Sequence, residues 1–188
     1  MISISVEGMD AVKRAMGNCP RKINLALSRA VNRTVTNVKS NISKQVRAEY
    51  AIKAQDIKNS LEISKATAAK PYAIVKSAGQ RISFTKFRIS PQEPRPRNPP
   101  GGGYKVTIKK SSGLKAVPRG FLAYARGSLG FFQRTGSSRF PITRLTGPSV
   151  PEMIGRPQII TDIEKQAGTM LQKRMSHEVE RILGARAK

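Results

Sequence analysis

The sequence predicts an α+β fold: a small antiparallel sheet packed against a long amphipathic helix and a C-terminal helix, with an extended basic β-hairpin. Three observations predict it. From Lys22 to Ala48 an apolar stripe of helical period runs without a Gly or Pro. A second stripe of the same period runs up to Gly184. Between them lie short runs of alternating apolar and polar residues, separated by turn-forming residues as strands are. At 188 residues the chain suits a single domain, residues 1–188, long enough to bury a core.

The elements follow in order. Ile2, Ile4 and Val6 alternate with Ser3 and Ser5 as in a half-buried strand that Gly8 ends, and Met9 to Met16 suits one or two helical turns with Asp10 near the start. In the long helix, Leu27, Val31, Val35, Val38, Ile42 and Val46 share one side, while Lys22, Arg29, Arg33, Lys44 and Arg47 gather on the other. Leu61 with Ile63, and Tyr72 with Ile74, mark short strands. From Ile82 to Ile89 the alternation slips by one residue, which predicts a bulge near Thr85. Tyr104, Val106 and Ile108 alternate cleanly, so residues 81–110 form a hairpin whose tip, 90–103, holds five prolines and three consecutive glycines. That tip is not expected to pack. Gly120 to Arg126 and Leu129 to Gln133 make a second hairpin, turning at Gly127 and Ser128. Ser149-Val150-Pro151-Glu152 is a capping box for a short helix ending before Pro157, and Thr161-Asp162-Ile163-Glu164 repeats it. Ile163, Ala167, Met170, Leu171, Met175, Val179 and Ile182 then supply the terminal helix's stripe.

Composition narrows the function. Thirty-five Lys and Arg against eleven Asp and Glu leave a formal charge of +24, so the compact chain repels itself unless it meets a polyanion or an acidic surface. Glu49 is the only acidic residue between Asp10 and Asp56, which leaves the basic helix face without i,i+4 partners. A second basic cluster has twelve Lys or Arg from Lys70 to Arg119, with Glu93 as its only acid; Lys86, Arg88, Arg95, Arg97, Lys105 and Lys109 belong to it. It has no stacking aromatics at RNA-binding spacing and no helix-turn-helix pattern, so it meets backbone charge rather than sequence.

Chemistry is argued against. One cysteine, Cys19, excludes an internal disulfide, and with His177 as the only histidine there is no His/Cys metal cluster. A lone His177 has no orienting partner, and Gly101 to Gly103 lack the strand-to-helix context and following Lys of a phosphate loop. No enzyme and no cofactor is expected. No window approaches the roughly 18 apolar residues of a membrane span, and the N-terminus has no secretory pattern, so a soluble protein assembled in a reducing cytoplasm is expected.

One stretch remains, FQRTGSSRFPITRLTGPSVP from Phe132 to Pro151, dense in aromatic, Arg, Gly and Pro residues. It reads as an irregular path of fixed shape. Its Phe132, Arg134, Gly136, Arg139, Pro141, Ile142, Leu145, Gly147, Pro148, Ser149, Val150 and Pro151 resemble the characteristic segment of the minor tail protein Z family of long-tailed bacteriophages and prophages. The resemblance is strongest over residues 121–153. It implies a structural virion protein at the head-proximal end of the tail, in the neck, forming a homo-oligomeric ring of six-fold symmetry. The ring's implied partners are the tail terminator, the head–tail connector and phage DNA passing through its channel, with no membrane. The lumen candidates are then Lys22, Arg29, Arg33, Lys44, Arg47, Lys86, Arg88, Arg95, Arg97, Lys105 and Lys109. The subunit-interface candidates are Phe132, Arg134, Arg139, Pro141, Arg144, Pro148 and Val150, the arginines using their planar forks. The competing reading is a sequence-nonspecific nucleic-acid-binding protein of the nucleoid or ribosome.

Overall fold

The computed structural model describes residues 20–95 and 101–184. The predicted N-terminal strand and short helix lie outside them. The described elements are α1 (Pro20–Glu49), α2 (Ala54–Asn59), β1 (Leu61–Ser64), β2 (Ile74–Ser77), β3 (Arg88–Ser90), β4 (Lys105–Thr107), β5 (Lys115–Ala116), β6 (Gly120–Ala125), β7 (Ser128–Arg134), β8 (Ile142–Arg144), α3 (Val150–Ile154) and α4 (Pro157–Gly184). The α+β class holds, with three small antiparallel sheets among the described residues, β1-β2, β3-β4-β5 and β6-β7-β8, where one was expected. The chain forms two compact units: residues 1–43, 61–78 and 154–188, and residues 44–60 and 79–153.

In the first unit, α1 contributes Ile23, Ala26, Leu27 and Ala30 to a core shared with Leu171 and Met175 of α4. The alanines at i and i+4 remove bulk from the seam, so two helices can approach closely. Two buried hydroxyls on α1 are satisfied locally, Thr34 Oγ1 donating to the Ala30 carbonyl and Ser28 Oγ to the Leu25 carbonyl, both at 2.9 Å, whereas the buried Ser43 Oγ has no partner. Such bonds to the preceding turn let Ser and Thr sit buried in a helix. Asn32 reaches out of the helix. Its Nδ2 donates to the Ala66 carbonyl at 2.9 Å and its Oδ1 accepts from the Ala66 N–H at 2.8 Å. This amide clamp fixes the loop after β1, whose pairing with β2 sets Leu61 opposite Ser77.

The terminal helix starts at Pro157, one turn earlier than the Thr161 box predicts. Proline suits the first helical position because it has no N–H to leave unsatisfied. Ile159 is buried as well as the expected Ile163, Ala167, Leu171 and Met175, so the apolar stripe itself begins upstream of Thr161.

The second unit is organised by Phe131, which is 0% exposed. Phe84 lies 5.7 Å from its ring and Tyr104 meets it edge-on at 5.9 Å. The predicted hairpin is present as β3 paired with β4, Arg88 opposite Thr107, and β5 adds a third strand. The expected bulge at Thr85 is instead a 3-10 turn, Phe84–Lys86. One such turn changes which side the chain presents, as a bulge does, and it delivers Phe84 to Phe131. The hairpin tip is partly anchored: Arg95 N–H donates to Tyr104 Oη at 2.9 Å, and that hydroxyl donates to the Glu93 carbonyl at 3.0 Å. A buried tyrosine needs a partner for its hydroxyl, and the loop's backbone supplies it.

The β6–β7 hairpin turns at Arg126 and Gly127, one residue before the expected position, with Ala125 opposite Ser128. Arg126 has φ 49° and Gly127 φ 75°, the two positive values that a type I′ turn requires.

Candidate functional site

The stretch from Phe132 to Pro151 is more regular than its composition suggests. β8 pairs with β7, Phe132 opposite Arg144 and Arg134 opposite Ile142. Thr135 closes the loop between them, its N–H and Oγ1 both donating to the Pro141 carbonyl, at 3.2 and 2.9 Å. Leu145 N–H then donates to the Phe131 carbonyl at 2.9 Å and Gly147 N–H to the Ile82 carbonyl at 2.7 Å. A Cβ on Gly147 would lie 2.8 Å from the Phe87 ring, so the backbone passes flush under that ring. Ser149 and Glu152 form the predicted capping box: Ser149 N–H donates to Glu152 Oε2 at 3.0 Å and Glu152 N–H to Ser149 Oγ at 3.3 Å.

This geometry reassigns several interface candidates. Phe132 is buried, stacked obliquely on Phe121 at 6.0 Å, and Val150 is buried at the start of α3, so both belong to the interior of their own unit. Pro148 is half-buried. Arg134 is half-buried and lies against its own sheet. Its guanidinium lies 5.1 Å from the Phe121 ring centre, and its Nη1 donates to the Arg139 carbonyl at 2.8 Å. Arg139, Pro141 and Arg144 are exposed, and Arg139 sits 5.7 Å over the ring of Phe140, itself 64% exposed. An exposed aromatic capped by arginine is chemistry that recurs at protein interfaces.

The basic candidates divide likewise. Along α1 the exposed residues include Leu25, Arg29, Arg33, Thr36, Ser40, Lys44 and Arg47, spaced by three or four as one face of a helix. Arg88 and Lys105 are exposed on adjacent strands. Lys86 has a carboxylate of its own, 3.1 Å from Asp56 on α2, a pairing that their separation in sequence hides. Lys109 is half-buried, bridged through its backbone to Tyr50, and lines a cavity of ≈ 330 Å³ with Phe84, Val106 and Lys115. The Lys22 side chain and Arg97 lie outside the described residues.

A second feature went unread in the sequence. Arg95, Arg119 and Arg134 converge with Tyr104 on a groove of ≈ 500 Å³ whose floor is Gly120, Phe121, Leu122 and Ala123. Arg119 holds φ 57°, an uncommon left-handed conformation for a side chain of its size. The Pro118-Arg119-Gly120 run marks a turn, but nothing local connects it to Arg95 or Arg134.

Among the described residues no group of three or more His, Cys, Asp or Glu is placed to hold a metal ion. His177 is exposed on α4. What the surface offers is cations on an ordered backbone, which can hold anions and pack partners.

The model of prophage minor tail protein Z (GPZ) matches residues 6–186. The chain belongs to that family. It is thereby a phage tail protein, a structural component of the virion. No curated protein and no solved structure shows significant similarity to it. None of its described helices is long and apolar enough to cross a membrane. Within this minor tail protein, the segment that carries the family resemblance is largely architectural: Gly147 admits Phe87, Ser149 caps α3, and Phe132 and Val150 fill the interior.

Proposed function

We propose that this minor tail protein completes the head-proximal end of the tail as one subunit of a closed six-fold ring, between the tail terminator and the head–tail connector, with DNA passing through a basic lumen. The observation that carries this reading is the exposed stripe of α1, in which Arg29, Arg33, Lys44 and Arg47 share a face with Thr36 and Ser40 and no carboxylate. A net charge of +24 opposes assembly of like subunits unless an anion sits among them. A ring threaded by duplex DNA supplies that anion along its whole axis. Arg88 and Lys105 extend the same sequence-independent chemistry on the β3-β4 sheet.

A ring needs side-to-side contacts that are heterologous and close on themselves. The exposed Arg139, Phe140, Pro141 and Arg144 of the β7–β8 hairpin are suited to one half of that contact. The family match favours this reading over a nucleoid or ribosomal protein.

The test uses particles. Replacing Arg29, Arg33 and Lys44 together by Gln is expected to leave the protein in assembled tails while lowering DNA delivery and infectivity. Unchanged infectivity would refute the lumen assignment, and absence of the unaltered protein from tail particles would refute the ring.

A further inference from the structure

The core of the second unit reaches the surface between β4 and β5. Val106 pairs with Lys115, and Val117 N–H donates to the Tyr104 carbonyl at 2.9 Å, so Tyr104, Val106, Lys115 and Val117 share one face of the sheet. Tyr104 packs on Phe131 and Val106 is 4% exposed, which makes this the core face. Beyond Val106 the packing stops short. Phe84, Ile108 and Val117 are only half-buried, and with Val106 they wall the cavity of ≈ 330 Å³. Leu114, in the loop that borders it, is 45% exposed and is not part of its lining, so the loop's own apolar side chain leaves that space unfilled.

Charge around the cavity has one sign. Its charged lining is Lys109 and Lys115, none of its lining residues is acidic, and Lys110 is exposed in the adjoining 3-10 turn. From Pro94 to Pro151 the sequence has no Asp or Glu at all.

We propose that this cavity is a docking pocket for a large apolar side chain flanked by carboxylates, presented by a different protein. Apolar walls offer no hydrogen bond to water or to a phosphodiester, so an apolar group fills the space best. Its volume lies at the low end for ligand pockets, the scale of one aromatic or branched aliphatic anchor. A buried anchor of this kind is completed by a polar rim, and a rim of lysines is complementary to carboxylates. A second copy of this chain does not supply the anchor. Among the described residues the exposed large hydrophobics are Leu25, Tyr72, Leu114, Tyr124, Phe140 and Ile142, and none has an Asp or Glu within two residues of it in sequence.

The test has to separate anchoring from the attraction of any acid to a basic protein. The probe is a capped pentapeptide, Glu-Glu-Phe-Glu-Glu, titrated into the full-length chain with methyl NMR as the readout. It is expected to shift the methyl signals of Val106, Ile108 and Val117. Replacing its Phe by Ala keeps the charge and should weaken binding about tenfold or more. Replacing its four Glu by Lys should also abolish the shifts. Val117→Phe places a ring in the cavity and is expected to lose the Phe peptide. Lys115→Glu, at an exposed position that leaves the core intact, should lower affinity about threefold or more, while Lys173→Gln on α4 leaves it unchanged. Equal binding of the Phe and Ala peptides, or unmoved methyls of Val106, Ile108 and Val117, would overturn the proposal. So would a duplex oligonucleotide, or self-association of the chain without peptide, that shifts the same methyls equally well.

Discussion

Replacing Arg29, Arg33, Lys44 and Arg47 together by glutamine removes four of the 35 basic side chains and nothing from the core, because all four are exposed. Over the 18 residue steps from Arg29 to Arg47 the helix rises about 27 Å, long enough to follow several phosphates of a duplex. Each phosphate neutralised by a cation contributes about 0.9 to the slope of log affinity against log salt, so four contacts contribute about 3.6. Between 50 and 200 mM salt, a fourfold change, the unaltered protein should lose about 150-fold more affinity than the variant. Gln and Arg have similar helix propensity, so folding stability should change by less than about 0.5 kcal/mol. The assay is fluorescence anisotropy of a labelled duplex titrated at a series of KCl concentrations, with a second duplex of scrambled sequence expected to behave identically. An unchanged slope in the variant would refute the assignment of this face to DNA, whatever the absolute affinities.

Three further predictions concern the scaffold. Asn32→Leu leaves the N–H and C=O of buried Ala66 without their partners, and chemical denaturation should show a loss of about 2 kcal/mol or more; a loss under about 0.5 would mean the clamp is dispensable. Ser149→Ala should cost about 1 kcal/mol by loss of one half of the capping box, measured as a lower thermal midpoint. Arg126→Asn should raise stability by about 0.5 to 1 kcal/mol, because Arg126 holds φ 49° in a turn whose preferred sequence is Asn-Gly; no gain would argue that the turn's strain is negligible.

The parts legible in the sequence are those whose cause is local. Helix α1 was readable because an apolar stripe of period 3.6 continues through Val46, and the box at Ser149 because its two reciprocal bonds lie within three residues. The β3–β4 pairing followed from alternation on both sides of the proline-rich tip. The parts that were missed depend on distant residues. Six-residue α2 carries too little pattern to be read as a helix, and its Asp56 finds Lys86 only after folding. β8 hides among Pro, Arg and Thr because all three of its residues are exposed, so no apolar alternation marks it. Arg134 reads as an outward fork by composition, yet β6 brings Phe121 beneath it and holds it against the sheet. The arginine groove gathers residues 95, 104, 119–123 and 134, a set no window of sequence contains.

The central claim is most directly tested by a density map of the neck of intact particles. The account predicts a closed ring of this chain at the head-proximal end of the tail, with the Arg29, Arg33, Lys44 and Arg47 face of α1 turned toward the DNA channel. A map in which the chain is absent from the neck, or in which that face points outward to solvent, would contradict it.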